Sequence, residues 1–259
     1  MMKNKINNIF TLSGINNSNM ILNSNKVKIN SIYILKNGIA YKNLEIIQKV
    51  QKLKSIFKLL DKYEFQKKCK KFSFERSQGI IINFIYNFDL DIPDFSSKNS
   101  CLILPERIED PQNLGQIIRT SECAGVNGIL LSETKTVGIT NTVLQVSQGA
   151  FLNLPIYKIG NIGQTINNLK KQGFWVIGVE NSIDEKKWYE IDMLGKVLLI
   201  FGSEGKGIRN STIQKCDFLA TIPMSGNINS LNISACVSAI LFERNRQILK
   251  NKLQTDTNL

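Results

Sequence analysis

A chain of 259 residues that is 42% hydrophobic and 21% charged has enough apolar side chains for one or two packed cores, and is not a disordered polymer. Its formal net charge of +12 favours a polyanionic partner, while the absence of histidine removes the Ser-His-Asp and Cys-His nucleophile pairs, the usual zinc sites and the commonest general base. No apolar run reaches the roughly 20 residues of a membrane span, and the opening Met1-Met-Lys-Asn-Lys-Ile lacks the features of a secretory signal. A cytoplasmic protein without a membrane partner is expected. The five cysteines, Cys69, Cys101, Cys123, Cys216 and Cys236, are scattered without C-x-x-C spacing, and most read as small buried residues.

The first hundred residues predict a small α/β unit. A helix over 15–23 leads to an apolar strand over 32–35, which ends at Asn37-Gly38. Apolar residues at Leu44, Ile47, Val50, Leu53, Ile56, Phe57 and Leu60 predict one amphipathic helix over 44–60, with lysines on its other face. The β-branched and aromatic run 79–86 reads as a strand. Residues 1–100 carry 17 Lys/Arg against 7 Asp/Glu, concentrated between Lys42 and Arg76, whereas the rest of the chain holds 16 against 14. Such a surplus favours binding through phosphate neutralisation; a solvated lysine-rich face is the alternative. A membrane surface is disfavoured, since basic and apolar residues there do not separate into two faces. The polar, proline-bearing stretch 89–100 reads as a linker, dividing the chain into expected domains at 1–95 and 100–250.

Beyond it, strands and helices alternate. Strands are expected over 101–104, 128–131, 155–159, 174–180, 197–202 and 218–223, and helices over 113–124, 141–150, 163–172, 210–215 and 231–249. Continuous apolar strands such as Val197-Leu-Leu-Ile-Phe201 indicate burial on both faces, hence a mostly parallel sheet in an α/β fold. Ligands of such sheets gather beyond the C-terminal strand ends.

Three polar segments follow strand ends. In the first, Asp110 before Pro111 makes a helix start, with Asn113 near its mouth and Arg119 about two turns in. The second, Phe201-Gly-Ser-Glu-Gly-Lys-Gly-Ile-Arg209, puts three glycines after a buried strand, where backbone approaches something closely or takes positive φ. It has no Gly-Lys-Ser/Thr and its glycines run in the wrong order for the dinucleotide fingerprint, which disfavours a dehydrogenase. The third, Ile222-Pro-Met-Ser-Gly-Asn-Ile-Asn-Ser-Leu-Asn-Ile-Ser234, carries more polar side chains than one helix cap requires.

Together these segments resemble the signature motifs of the SpoU (TrmH-like) family of RNA ribose 2′-O-methyltransferases. The first is similar to its asparagine-to-arginine motif, the second to its Gly-x-Glu-Gly-x-Gly motif at Gly202–Gly207, and the third to its Ile-Pro-Met…Ser-Leu-Asn-x-Ser motif. They occur in the family's order and cover essentially all of 101–249; Ser147-Gln-Gly-Ala150 also looks like a family turn. The resemblance implies a SPOUT-type parallel-sheet domain with a C-terminal trefoil knot, bound S-adenosylmethionine and a homodimer. It implies cofactor contacts at Gly202, Ile222 and Leu231, and catalytic-site roles for Asn113, Arg119, Glu204, Ser230 and Asn232. Arg119 inherits the family's proposed base, although a guanidinium is ordinarily protonated and serves equally to orient the hydroxyl. Asn113 and Asn232 are then expected to fix Arg119 and the ribose, and Glu204 to hold its loop or orient Arg119. Ser13-Gly-Ile-Asn-Asn, Lys36-Asn-Gly and Ser77-Gln-Gly-Ile-Ile resemble the family's accessory L30e-like RNA-binding domain, although Ser77 stands where many relatives carry histidine. The layout is similar to the branch acting on a 23S rRNA guanosine. A tRNA-directed enzyme and a catalytically silent RNA-binding factor are the alternatives.

Overall fold

The computed structural model describes residues 9–88, 91–134, 136–181, 186–228 and 230–257. Contacts divide the chain into two compact units, Met1–Asn87 with Thr140–Leu152, and Phe88–Ile139 with Asn153–Leu259.

In the first unit, β1 (Ile9–Ser13), α1 (Ile15–Leu22), β2 (Lys28–Leu35), α2 (Ile39–Lys42), α3 (Leu44–Gln51), β3 (Phe57–Leu60), α4 (Lys62–Lys71) and β4 (Ile80–Ile85) follow one another. The four strands form a sheet in the order β1-β4-β2-β3, antiparallel except for the parallel β2–β3 pair. The β-branched run Ile80-Ile-Ile fills the centre and is wholly buried. The helix expected over 44–60 is corrected: α3 starts at the Asn43 cap, whose side chain accepts from the Ile46 N–H at 3.1 Å, but stops at Gln51. Phe57–Leu60 instead extends β2 in parallel, from Ile32↔Phe57 to Leu35↔Leu60. A short apolar run satisfies both periods, and an open strand edge decides between them. The basic run that follows is a helix, with Asp61 accepting from the Glu64 N–H at 2.8 Å and Lys68, Lys70 and Lys71 in its last turn, where the helix dipole favours cations.

The second unit opens with β5 (Ser100–Pro105), α5 (Pro111–Cys123) and β6 (Gly128–Ser132). Next comes α6 (Asn141–Ser147), followed by a 3₁₀ turn at Ala150–Leu152. This stretch lies within Thr140–Leu152 and so groups with the first unit, where the Asn141 and Gln145 side chains accept from the Thr11 and Ser13 N–H groups of β1. The chain continues with β7 (Ile156–Ile159), α7 (Ile162–Lys171), β8 (Trp175–Val179), β9 (Lys186–Lys187), β10 (Lys196–Phe201), α8 (Asn210–Ile213), β11 (Phe218–Thr221) and α9 (Ile233–Thr257). Seven strands make one parallel sheet in the order β7-β6-β5-β10-β8-β11-β9. Its core joins Leu102, Leu130, Val176, Leu198 and Ile200 to Ile166 and Leu169 of α7. The stretch expected as a linker is in part docked on this core, through Ile92 and through Phe95, whose ring meets Phe174 edge-on at 5.5 Å.

Because the sheet is parallel, Pro105, Val179, Phe201 and Thr221 end their strands at one edge, with Phe201 in register with both Pro105 and Val179. The helix α9 packs against α5 and begins two residues later than expected, at Ile233, with Asn232 before it accepting from the Ser234 N–H at 2.9 Å. Among the described residues no helix is long and apolar enough to cross a membrane.

Candidate functional site

Each of the three polar segments leaves this edge of the sheet. Asp110 caps α5 as expected, accepting from the Gln112 N–H at 2.8 Å, with Pro111 behind it. The glycine segment leaves the buried end of β10 and turns back, the Gly207 N–H donating to the Ser203 carbonyl at 2.9 Å. Gly202 is required by packing: a Cβ there would sit inside the van der Waals envelope of the Gly207 carbonyl carbon and the Ile208 nitrogen. Gly205, at φ +80°, makes the turn itself.

Two carboxylates anchor the far end of this loop. Glu180, just past β8, accepts from the Ile208 N–H at 2.9 Å. Glu106, just past β5 and buried, accepts from the Arg209 N–H at 3.2 Å and the Thr212 hydroxyl at 3.3 Å, and pairs with the Arg209 Nε at 3.0 Å. Neither residue stood out in the sequence. Their signal, an acidic residue directly after a largely apolar strand, is legible only once the strand ends are known.

The exposed side of the loop carries Glu204. Its Oε1 accepts from Asn232 Nδ2 at 2.9 Å, from Asn113 Nδ2 at 3.4 Å and from the Ile233 N–H at 3.4 Å. Asn232 also donates to Asn113 Oδ1 at 2.9 Å. One residue from each polar segment thus meets in a single hydrogen-bonded triad, although they stand up to 119 positions apart.

The triad separates two cavities. One, of about 340 Å³, is lined by Val179, Glu180 and Asn181 from β8 and its end, by Phe201–Gly205, and by Ser230, Leu231, Ile233 and Cys236. The other, of about 220 Å³, is lined by Arg107, Asp110, Asn113 and Lys206. Ser203, Glu204 and Ile233 border both. Burial pushes the Cys236 thiol above its ordinary pKa, which keeps it protonated and a poor nucleophile.

Of the sequence-predicted residues, Asn113, Glu204, Asn232, Ser230, Gly202 and Leu231 therefore surround one place. Ile222 is buried and does not line the cleft; its N–H donates to Asn181 Oδ1 at 3.2 Å, so a cleft residue pins the start of its loop. Arg119 is exposed and makes no hydrogen bond or ion pair with any described residue. Six residues on an α-helix turn it about 120° away from Asn113 and move it about 9 Å along the axis. Among the described residues no hydrogen bond joins Asn113 or Asn232 to Arg119, and both amides donate to Glu204. The cysteines also differ from expectation: Cys101 is buried, Cys69, Cys216 and Cys236 are half-buried, and Cys123 is exposed on the last turn of α5.

The model of the SpoU rRNA methylase family matches residues 100–242, which hold the whole triad. The 23S rRNA (guanosine-2′-O-)-methyltransferase RlmB of Xylella fastidiosa is 38% identical over 157 residues, covering 61% of this chain and 63% of that protein. A putative TrmH family tRNA/rRNA methyltransferase of Staphylococcus saprophyticus is 37% identical over 159 residues, covering 60% and 63%. The chain thus spans under two thirds of the length of these curated relatives. The fold is similar to that of the SpoU methyltransferase AviRb from Streptomyces viridochromogenes in complex with the cofactor AdoMet, with a TM-score of 0.76 at 18% identity over 93% of this chain and 91% of that one. With more than half its length matched by the family and the three polar segments converging as one site, the chain belongs to the SpoU rRNA methylase family.

Proposed function

We propose that the protein methylates a ribose 2′-hydroxyl in structured RNA, using S-adenosylmethionine, with a guanosine of 23S rRNA as its target. The observation that carries the proposal is the triad Asn113–Glu204–Asn232 standing between two adjoining cavities, one lined by apolar side chains and glycine backbone and one where Arg107 and Lys206 stand beside Glu109 and Asp110.

The larger cavity fits the cofactor in size and chemistry. Val179, Phe201, Leu231 and Ile233 offer apolar faces to an adenine, the Gly202–Gly205 backbone lets a ligand come close, and Glu180, Asn181 and Ser230 supply partners for hydroxyl and amino groups. Bound there, the cofactor supplies a methyl group activated on a sulfonium. On the other side, Arg107 and Lys206 meet the RNA phosphates, and Asn113 and Asn232, locked by Glu204, position the ribose hydroxyl. Arg119 lies off this wall with its guanidinium uncommitted, and takes the role of engaging the hydroxyl or a neighbouring phosphate and assisting proton loss. In the Arg119→Ala variant methyl transfer should fall at least a hundredfold with cofactor affinity unchanged. Near-parental transfer would remove Arg119 from the chemistry.

The same reading extends to the rest of the molecule. A trefoil knot at the C-terminal end of the sheet is supported by β10 inserted between β5 and β8, and by Asn232 and Ile233 reaching back to Glu204. A homodimer is supported by Phe242, Leu249 and Leu253, all exposed on α9. The first unit is proposed to be L30e-like and to grip RNA through the lysines of α4, one of which, Lys68, holds its Nζ 4.4 Å from the Tyr33 ring centroid. A domain division at residues 87–88, earlier than the expected 95–100, and a cytoplasmic location belong to the same proposal.

The deciding experiment supplies labelled S-adenosylmethionine with 23S rRNA, or with tRNA, to the full chain and maps alkali-resistant 2′-O-methyl sites. Label at a ribose of one rRNA guanosine is the expected result. Label in tRNA would favour a tRNA enzyme, the second relative being named for both substrates. Cofactor binding without transfer to either RNA would favour a silent assembly factor.

A further inference from the structure

At the edge of the seven-stranded sheet opposite the cleft, β8 and β11 each begin with an aromatic residue. Trp175 and Phe218 hold their rings 5.6 Å apart at 45°. Lys186 of the edge strand β9 places its Nζ 5.4 Å from the Phe218 centroid. These three residues, with Glu190 and Asp192, line a cavity of about 350 Å³. Beside it Lys187 lies over Tyr189 at 5.9 Å, and Tyr189 meets Trp188 edge-on at 6.1 Å. Trp175 leaves 55% of its surface exposed and Tyr189 48%, on elements whose neighbours Val176, Ile177 and Ile191 are buried.

A single exposed aromatic needs no explanation, but aromatic faces interleaved with lysines around a cavity have a specific chemistry. Bases stack on such faces and the lysines take the adjacent phosphates, which is how single-stranded RNA is held. The acidic rim selects among bases. An ionised carboxylate only accepts hydrogen bonds, so the base edge that faces it must donate. Guanine presents N1–H and the N2 amino group side by side, whereas uracil offers one N–H between two carbonyls. Both carboxylates are already held in place, Glu190 Oε2 by the Lys187 N–H at 3.2 Å and Asp192 Oδ1 by the Leu194 N–H at 2.9 Å. The second oxygen of each has no hydrogen bond to a described residue.

We propose that this cavity is a second RNA subsite, which takes a guanine base from a single-stranded segment of the substrate. It lies one strand length from the cleft, roughly 13 Å for the five residues of β8. The inference rests on the RNA substrate of the preceding section. It adds a contact that chooses among RNAs without touching the methyl transfer.

The test uses the full chain and fluorescein-labelled pentanucleotides, UUGUU, UUIUU with inosine, and UUUUU, followed by anisotropy and by quenching of the intrinsic indole emission. The guanosine oligomer should bind tightest and quench most, and inosine, which lacks the amino group, should fall between it and uridine. Trp175→Leu should weaken UUGUU about tenfold, with Trp175→Tyr restoring most of the loss. Asp192→Asn should narrow the difference between guanosine and uridine. In methyl transfer, Trp175→Leu should raise the KM for RNA and leave cofactor affinity as it was. Equal binding of all three oligomers, or parental binding by Trp175→Leu, would overturn the subsite. So would a change in the sedimentation of Trp175→Leu with no change in oligomer affinity, since that marks a contact between copies. The oligomer arm involves no methyl transfer, so failure of the proposed activity and failure of the subsite give different results.

Discussion

Between β10 and α8 the chain is clamped at both ends. Gly202 lies against the Gly207–Ile208 backbone, Glu180 holds the Ile208 amide, and the buried Glu106 holds Arg209 and Thr212. Between β11 and α9 the described residues are held by Asn181 at Ile222, by the Cys236 thiol at the Leu231 carbonyl and by the triad at Asn232 and Ile233; Gly226, Ile228 and Leu231 are exposed. The two segments wall the same cleft, one tied to buried or half-buried carboxylates and one whose described residues are mostly exposed. A rigid wall sets the geometry of the reaction in advance, and a loosely held wall gains its order from what binds against it. Substitutions should therefore act on stability in the first segment and on ligand-dependent properties in the second.

The largest effect is expected for Gly202→Ala. The added methyl collides with backbone, which cannot swing aside as a side chain could, so the loop must unseat from Glu180 and Glu106. A loss of about 3 kcal/mol is expected in denaturant melts, together with cofactor binding. Glu106→Gln comes next. The amide keeps one acceptor but loses the charge facing Arg209 in a buried place, at about 2 kcal/mol, read from the same melts. A stable Gly202→Ala protein would show that the first wall yields as readily as the second.

The contrast also explains what could be read from the sequence. Buried strands such as Val197–Phe201 were legible because burial on both faces leaves a continuous apolar run. The Asp110-Pro111 start of α5 was legible because capping is local. The site residues Asn113, Glu204 and Asn232 could be picked out by motif, yet their mutual contacts could not, since they depend on which strand β10 inserts beside. Arg119 shows the limit of the motif. Its spacing from Asn113 is a matter of helix geometry, and six residues put the two on different faces. Phe57–Leu60 failed for another reason: its residues suit either period, and only the exposed edge of β2 selects the strand. Glu106 and Glu180 are legible only from where their strands end, because their partners lie 103 and 28 positions away.

Asn232→Ala tests the point where the two walls meet. The substitution removes the cap on the Ser234 amide and both bonds to the triad, at about 1 kcal/mol of stability for the cap. Methyl transfer should fall far more than stability, at least tenfold in kcat, because Glu204 and Asn113 lose the group that aligns them. A loss confined to KM for RNA would instead make the triad a binding surface.

Ser230→Ala should produce the smallest change in the protein alone and separates the two walls most sharply. Ser230 is exposed, lines the cleft and makes no hydrogen bond with a described residue. Its removal should shift stability by no more than about 0.5 kcal/mol. The effect should appear only when ligands are present: slower methyl transfer, and less of the protection that cofactor gives to amides of the 223–231 segment in hydrogen exchange. The amides of 207–209, already bonded to Ser203, Glu180 and Glu106, should be protected equally with and without cofactor, in parent and variant alike. If cofactor protected both segments to the same degree, the rigid wall would be no more pre-formed than the loose one. If Ser230→Ala lowered stability as much as Glu106→Gln, the hydroxyl would be part of the scaffold rather than a group held in reserve for the ligand.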